Sequence, residues 1–353
     1  MHCMGSRKEQ NIMAHLPVKE IISLVLSLAW LAAAGEIPGH AAQGPDLKPE
    51  KNVLEVAIAA YGTLYLPLLV AHEAGYFSKR GINLNISQVS ATASAQALIS
   101  GQVDIYQGGA SLIHANVGGS DLIYIAAAVD RSALILFGQK GLTTFESLRG
   151  KSVATTSVGA FGEVAIRKTA KERGMEVGKD IKLLYHRGPP EASGTFLSGN
   201  ADGLIVGPPE SERARSKGFP VIIDYYERGL RIVGPGTGVA RFFMQKAPNT
   251  LKIFLMGYLD GLKRALDDPA FANKIQAQYT KISDLKVLEE SYQRDFKVWN
   301  KDMTVDPEAI RVVLEQSTVP KAGEIDPKRF YDNSLVREVN RDYGSKLFPG
   351  EVK

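Results

Sequence analysis

The chain of 353 residues is 44% hydrophobic and 23% charged, close to soluble-globular averages, which excludes bulk disorder and a polytopic membrane protein. At roughly 150 residues per domain, the length predicts about two domains. The net charge of +4 is spread along the chain without long Lys/Arg runs, leaving no electrostatic footprint for nucleic acid, and the single cysteine, Cys3, excludes a disulfide framework, an iron-sulfur cluster, a Cys-rich zinc site and a thiol nucleophile.

Arg7, Lys8 and Lys19 precede a mostly apolar run over residues 21–34, followed by small residues and a break at Gly35 and Pro38. This is the pattern of a secretory signal, cleaved after Ala34 or near Ala41 and Ala42. The run is shorter than the roughly 20 apolar residues of a membrane span. No cysteine follows it, so lipid attachment at a mature N-terminal Cys is excluded. Residues 1–42 are therefore expected to be signal and leader, and the folded body to begin near Val53.

From there strand and helix patterns alternate, which predicts parallel sheets with crossover helices. Residues 53–59 read as an apolar strand, and Tyr61-Gly62-Thr63 turns it into a helix carrying Leu66, Leu69 and Val70. Ile82, Leu84 and Ile86 alternate at period two as the next strand. A helix from about Thr92 ends at Ser100-Gly101, with glycine suited to the left-handed position after it. Strands at 103–106 and 123–129 flank the Gly108-Gly109 turn and a helix from about Ser111.

The next stretch repeats the plan. Residues 152–156 read as a strand, Val158-Gly159-Ala160 as the turn, then a helix to Gly174 and a strand at 181–185. Ser100-Gly101-Gln102-Val103-Asp104 is echoed by Ser198-Gly199-Asn200-Ala201-Asp202, at nearly the spacing that separates Gly62 from Gly159. Two landmarks at one spacing predict two lobes of one architecture. After a strand expected at 238–244, the chain turns helical. Leu251, Leu255, Tyr258, Leu259, Leu262 and Leu266 form one face. Further helices are expected at 284–300, 306–316 and 328–343, two of them opened by Asp306-Pro307 and Asp326-Pro327 caps. These helices read as a packing layer without chemistry.

Catalytic patterns fail on spacing. Gly150-Lys151-Ser152 resembles the end of a phosphate loop, but the required earlier glycine is Phe145. His72-Glu73 opens a zinc-protease pattern whose second histidine would be Tyr76. Gly234-Pro235-Gly236-Thr237-Gly238 has the wrong spacing for a dinucleotide loop. His72, His114 and His186 are too scattered to argue for a metal, and no cofactor is called for. What remains are strand-to-helix turns, where open α/β sheets place small ligands. Four stand out, at Tyr61-Gly62-Thr63, 90–94, 108–111 and 157–161, with Tyr61 and Phe161 as candidate walls and Arg187 or Arg131 as an anion partner.

A resemblance joins these pieces. Gly75-Tyr76-Phe77-Ser78-Lys79-Arg80-Gly81-Ile82, Ala95-Gln96-Ala97-Leu98-Ile99-Ser100-Gly101-Gln102-Val103-Asp104-Ile105 and Leu148-Arg149-Gly150-Lys151-Ser152-Val153-Ala154 resemble the nitrate/sulfonate/taurine family of ABC-transporter solute-binding proteins, with its thiamine-pyrimidine-binding relatives. The resemblance implies an α/β type II periplasmic-binding-protein fold, two lobes joined by two crossing strands with a ligand cleft between them, plus C-terminal helices. Lobe one would be residues 53–131 plus 237–353 and lobe two 132–236, with crossing strands near 133–137 and 238–242. The family's ligand loops fall on Tyr61 and Gly62, on Ser90, Thr92 and Ser94, on Gly109, Ala110 and Ser111, and on Ser157, Val158, Gly159, Ala160 and Phe161, with Val206-Gly207-Pro208 as a second-lobe wall. No arginine and tryptophan set that would fix a sulfonate or nitrate pocket accompanies them. The implied protein is a periplasmic or extracellular monomer, not an enzyme. It captures a small-molecule solute and delivers it to an ABC permease in the inner membrane, without nucleic-acid partners. A secreted or tethered sensor domain is the alternative. A thiamine-pyrimidine synthase-like enzyme fits less well, since neither its Cys-rich motif nor an intracellular chain is present.

Overall fold

The computed structural model describes residues 45–352. The expected signal and leader, and Cys3, lie outside the described residues. Two five-stranded sheets form the frame. In chain order the first part runs β1 (Val53–Ile58), α1 (Leu66–Glu73), β2 (Asn83–Gln88), α2 (Ala91–Ile99), β3 (Ile105–Gly108), α3 (Ser111–Val117) and β4 (Leu122–Ala127). The second runs β5 (Ile135–Gly138), β6 (Lys151–Thr155), α4 (Phe161–Glu172), β7 (Ile181–Tyr185), α5 (Pro189–Leu197), β8 (Gly203–Val206), α6 (Glu210–Ser216) and β9 (Val221–Asp224). Strand β10 (Gly236–Ala240) then returns to the first sheet.

The sheet orders are β2-β1-β3-β10-β4 and β7-β6-β8-β5-β9. In each, three neighbouring strands are parallel and a strand from elsewhere in the chain enters antiparallel beside the third. The two sheets are thus one topology used twice.

The Ser-Gly-x-x-Asp echo has a physical cause. Gly101 (φ +72°) and Gly199 (φ +78°) follow α2 and α5 in the left-handed conformation that ends each helix without a Cβ clash. The aspartates then staple the central strands: Asp104 accepts from the Glu55 N–H at 2.9 Å, and Asp202 from the Ser152 N–H at 2.9 Å. Lys51 and Lys151 reach the same two carboxylates, at 2.7 and 3.8 Å.

The expected strand at 238–244 ends at Ala240, and Arg241–Lys246 forms a helix, α7. Ala240 pairs with Leu122, the first residue of β4, so no partner strand continues beyond it. The apolar Phe242 is left 67% exposed. The C-terminal layer follows as α8 (Pro248–Asp267), α9 (Pro269–Thr280), α10 (Leu285–Asp295), α11 (Pro307–Glu315) and α12 (Ser334–Val339). Of the expected α8 stripe, Leu251, Leu255, Tyr258, Leu259 and Leu262 are buried, and Leu266 is partly buried. Asp306 caps α11 through the Glu308 N–H. The helix expected at 328–343 is instead three short pieces, because Asp326 caps a 3-10 turn over Pro327–Phe330 and Asp332 accepts from the Ser334 N–H to start α12. Arg294 of α10 donates to the Ala133 carbonyl (3.2 Å) and to Asp224 (2.6 Å), tying this layer to the entry and the edge of the second sheet. Among the described residues, no helix is long and apolar enough to cross a membrane.

Candidate functional site

Where the parallel strands of both sheets end, their turns line one cleft of about 190 Å³. One water needs roughly 10–15 Å³ of such space, so the cleft has room for a small molecule. The first sheet contributes Tyr61 and Gly62 after β1, then Gly109 and Ala110 after β3. The second contributes Ser157, Ala160 and Phe161 after β6, Arg187 after β7, and Pro208 after β8. Position at the carboxyl ends of strands is what an open α/β sheet offers a ligand.

The two sides meet closely. A Cβ on Gly109 would lie 2.0 Å from the Phe161 ring, so the absence of a side chain there is what seats the ring. A Cβ on Gly62 would lie 3.4 Å from the Pro208 carbonyl oxygen. Tyr61 is braced from behind by Tyr279, with ring centroids 5.1 Å apart.

The lining is largely apolar. Leu64, Leu134, Ile232 and Pro235 join the aromatic rings of Tyr65 and Tyr106. Burial, with the nearby Tyr106 and Tyr258, pushes the Tyr65 phenol well above its ordinary value. Burial likewise raises Tyr106, whose hydroxyl shares a 2.9 Å bond with Ser111 Oγ. Both phenols are therefore neutral near pH 7. Two charged side chains line the cleft. Glu210 is buried and accepts from Arg213 at 2.9 and 3.2 Å. Arg187 is exposed, and its guanidinium has no side-chain or backbone partner among the described residues.

Four of the residues expected in the ligand loops, Thr92, Ser111, Val158 and Gly159, line a second cavity of about 330 Å³ instead. There Glu163 accepts from the Gly159 N–H at 2.9 Å and from Arg167 at 2.7 Å, while Thr92 donates to the Val158 carbonyl at 3.3 Å. His114 faces them, its pKa lowered by burial against the opposing pull of Glu163. Ser90 and Ser94 line neither cavity: Ser94 is buried and donates to the Val89 carbonyl, and Ser90 opens α2 as its N-cap. Arg131 also lies outside both, 3.8 Å from Asp130.

Tyr65, Tyr106, Glu210 and Thr280 were not among the residues expected from sequence. Glu210 lies two residues past the Val206-Gly207-Pro208 wall, which is the one local pointer to it. Thr280, at the end of α9, corrects the expectation that the C-terminal layer only packs. Among the described residues, no group of three or more His, Cys, Asp or Glu side chains is placed to hold a metal ion.

Two like-built α/β lobes with a cleft between them define a type II periplasmic-binding-protein fold. The chain belongs to the NMT1/THI5-like family, which matches residues 63–272, more than half of its length. Solved structures share the fold. The alkanesulfonate-binding protein SsuA of Xanthomonas axonopodis pv. citri, bound to MOPS, is 17% identical with a TM-score of 0.65, over 84% of this chain and 99% of that one. The periplasmic nitrate-binding protein NrtA of Synechocystis PCC 6803 is 13% identical with a TM-score of 0.72, over 86% and 92%. The periplasmic aliphatic sulphonate-binding protein SsuA of Escherichia coli is 17% identical with a TM-score of 0.62, over 85% and 100%. No curated protein matches the chain in sequence.

Proposed function

We propose that this protein is an extracytoplasmic solute-binding protein of an ABC importer. It captures a small organic solute by closing its two lobes and delivers it, as a monomer, to a membrane permease. It acts by binding alone, with no covalent step. The observation that carries the reading is the cleft at the strand ends of two like sheets, whose Arg187 guanidinium lacks a partner among the described residues. An anionic solute group supplies that partner through charge-assisted hydrogen bonds. The family membership and the binding proteins that share the fold point the same way.

The test is thermal unfolding against sulfonates, taurine, nitrate, aromatic carboxylates and thiamine pyrimidines, after unfolding and refolding to strip any carried ligand. A solute at about 100 times its dissociation constant adds about 2.7 kcal/mol, a shift of a few degrees. We expect a shift with one chemical class, and recovery of that solute unchanged. A solute recovered chemically altered would refute the reading.

A further inference from the structure

The cleft is lopsided, with extensive apolar lining and one unpartnered charge, and that asymmetry bears on the solute's shape. This step rests on the solute-binding reading above. Tyr61 comes from the first sheet and Phe161 from the second, and both line the same cavity. Tyr61 is backed by Tyr279 from its own side of the cleft, and Phe161 is seated on Gly109 across it, a contact made as the lobes close. A ring held in place before binding, as Tyr61 is, loses little freedom on contact, and both rings favour a flat apolar surface. Leu64, Leu134 and Ile232 extend the same character, so a strongly hydrated solute would give up water for walls that return few hydrogen bonds. A solute ammonium would also need an acceptor, and Glu210, the cleft's carboxylate, already holds Arg213. Among the described residues lining the cleft, Arg187 is the one charged side chain left to take a solute charge.

We infer that the solute is a monoanion whose flat apolar body is larger than its charged head, an arylcarboxylate or an arylsulfonate. The body lies among Tyr61, Phe161 and the aliphatic walls, and the head meets Arg187. Small oxyanions such as nitrate and zwitterions such as taurine are poor fits.

Calorimetric titration of the stripped protein tests this with benzoate, benzenesulfonate, benzamide, nitrate and taurine. We expect benzoate or benzenesulfonate to bind at least about tenfold tighter than benzamide, nitrate and taurine, the size expected of a hydrogen bond to a charged group. The ratio of the two aromatic anions assigns the head group. Arg187→Met should narrow the gap between benzoate and benzamide, and Phe161→Ser should weaken the aromatic ligands together. Benzamide binding as tightly as benzoate overturns the charged head, and tight binding of nitrate or taurine overturns the apolar body. Silence from both aromatic anions also overturns the inference. Binding of an unrelated solute in the thermal panel would then leave the receptor reading standing.

Discussion

The two cavities share their turns and differ in how their polar groups are spent. Residues 157–161 give Ser157, Ala160 and Phe161 to the cleft but Val158 and Gly159 to the other cavity, and the turn after β3 divides the same way at Ser111. The second cavity has ample room, about 330 Å³, yet its ions are occupied: Glu163 binds Arg167 and the Gly159 N–H. The cleft leaves the Arg187 guanidinium without a partner among the described residues. Unspent bonding capacity, rather than volume, is what favours the cleft as the candidate site.

The largest way to break this contrast is Gly62→Trp. An indole opposite the Pro208 carbonyl fills the cleft, and solute affinity should fall more than about a hundredfold, with an unfolding temperature near that of the parent. Affinity retained in the folded variant would remove the cleft from its role. Gly109→Ala comes next, because its Cβ would enter the Phe161 ring. Overpacking of this kind costs about 1–3 kcal/mol. It should appear as weaker solute binding in calorimetry and a more open particle in small-angle scattering. Glu163→Ala acts on the other cavity, removing the acceptor of Gly159 and the partner of Arg167. Stability should drop by about 1–2 kcal/mol in denaturant titration, while solute affinity changes less than about threefold. A larger loss of affinity would mean that the two cavities are one site.

The smallest effect is a pH slope from His114. Burial lowers its pKa in the fold from the ordinary 6.5, so on acidification the unfolded chain takes up a proton that the folded one resists. Stability should decline as pH falls from about 7 to 5, and His114→Asn should flatten that decline in thermal unfolding. Glu163 and Arg167 are the charges that face the ring, with opposite pulls.

Much of the frame was legible because its markers are local. The Gly101 and Gly199 terminators act at one helix end, and the Asp104 and Asp202 staples, though they reach back 49 and 50 residues to Glu55 and Ser152, stay within one sheet, so all four recur wherever the sheet plan does. The strand expected through Phe242 and Met244 failed for a non-local reason: β10 ends where β4 begins. The site divides similarly. A turn can be found from its glycines, but which of its residues face the cleft depends on how the two sheets sit, and so Val158 and Phe161 part company. Tyr106 reads as a core strand residue and is one, with 0% exposure, while still edging the cleft. Thr280 and Tyr279 reach the site from the C-terminal layer, a relation no local pattern encodes.

Strand β10 lies between β3 and β4 in the first sheet, although it is made after every strand of the second. Domains tend to fold from the N-terminus as the ribosome delivers them, but here the strand that completes the first sheet is delivered after every strand of the second. When Gly236 emerges, all five strands of the second sheet already exist, whereas β4 still has no neighbour in its own. The later-synthesised sheet can therefore close first, leaving the earlier one as the part exposed to chaperones and proteases until its last strand arrives.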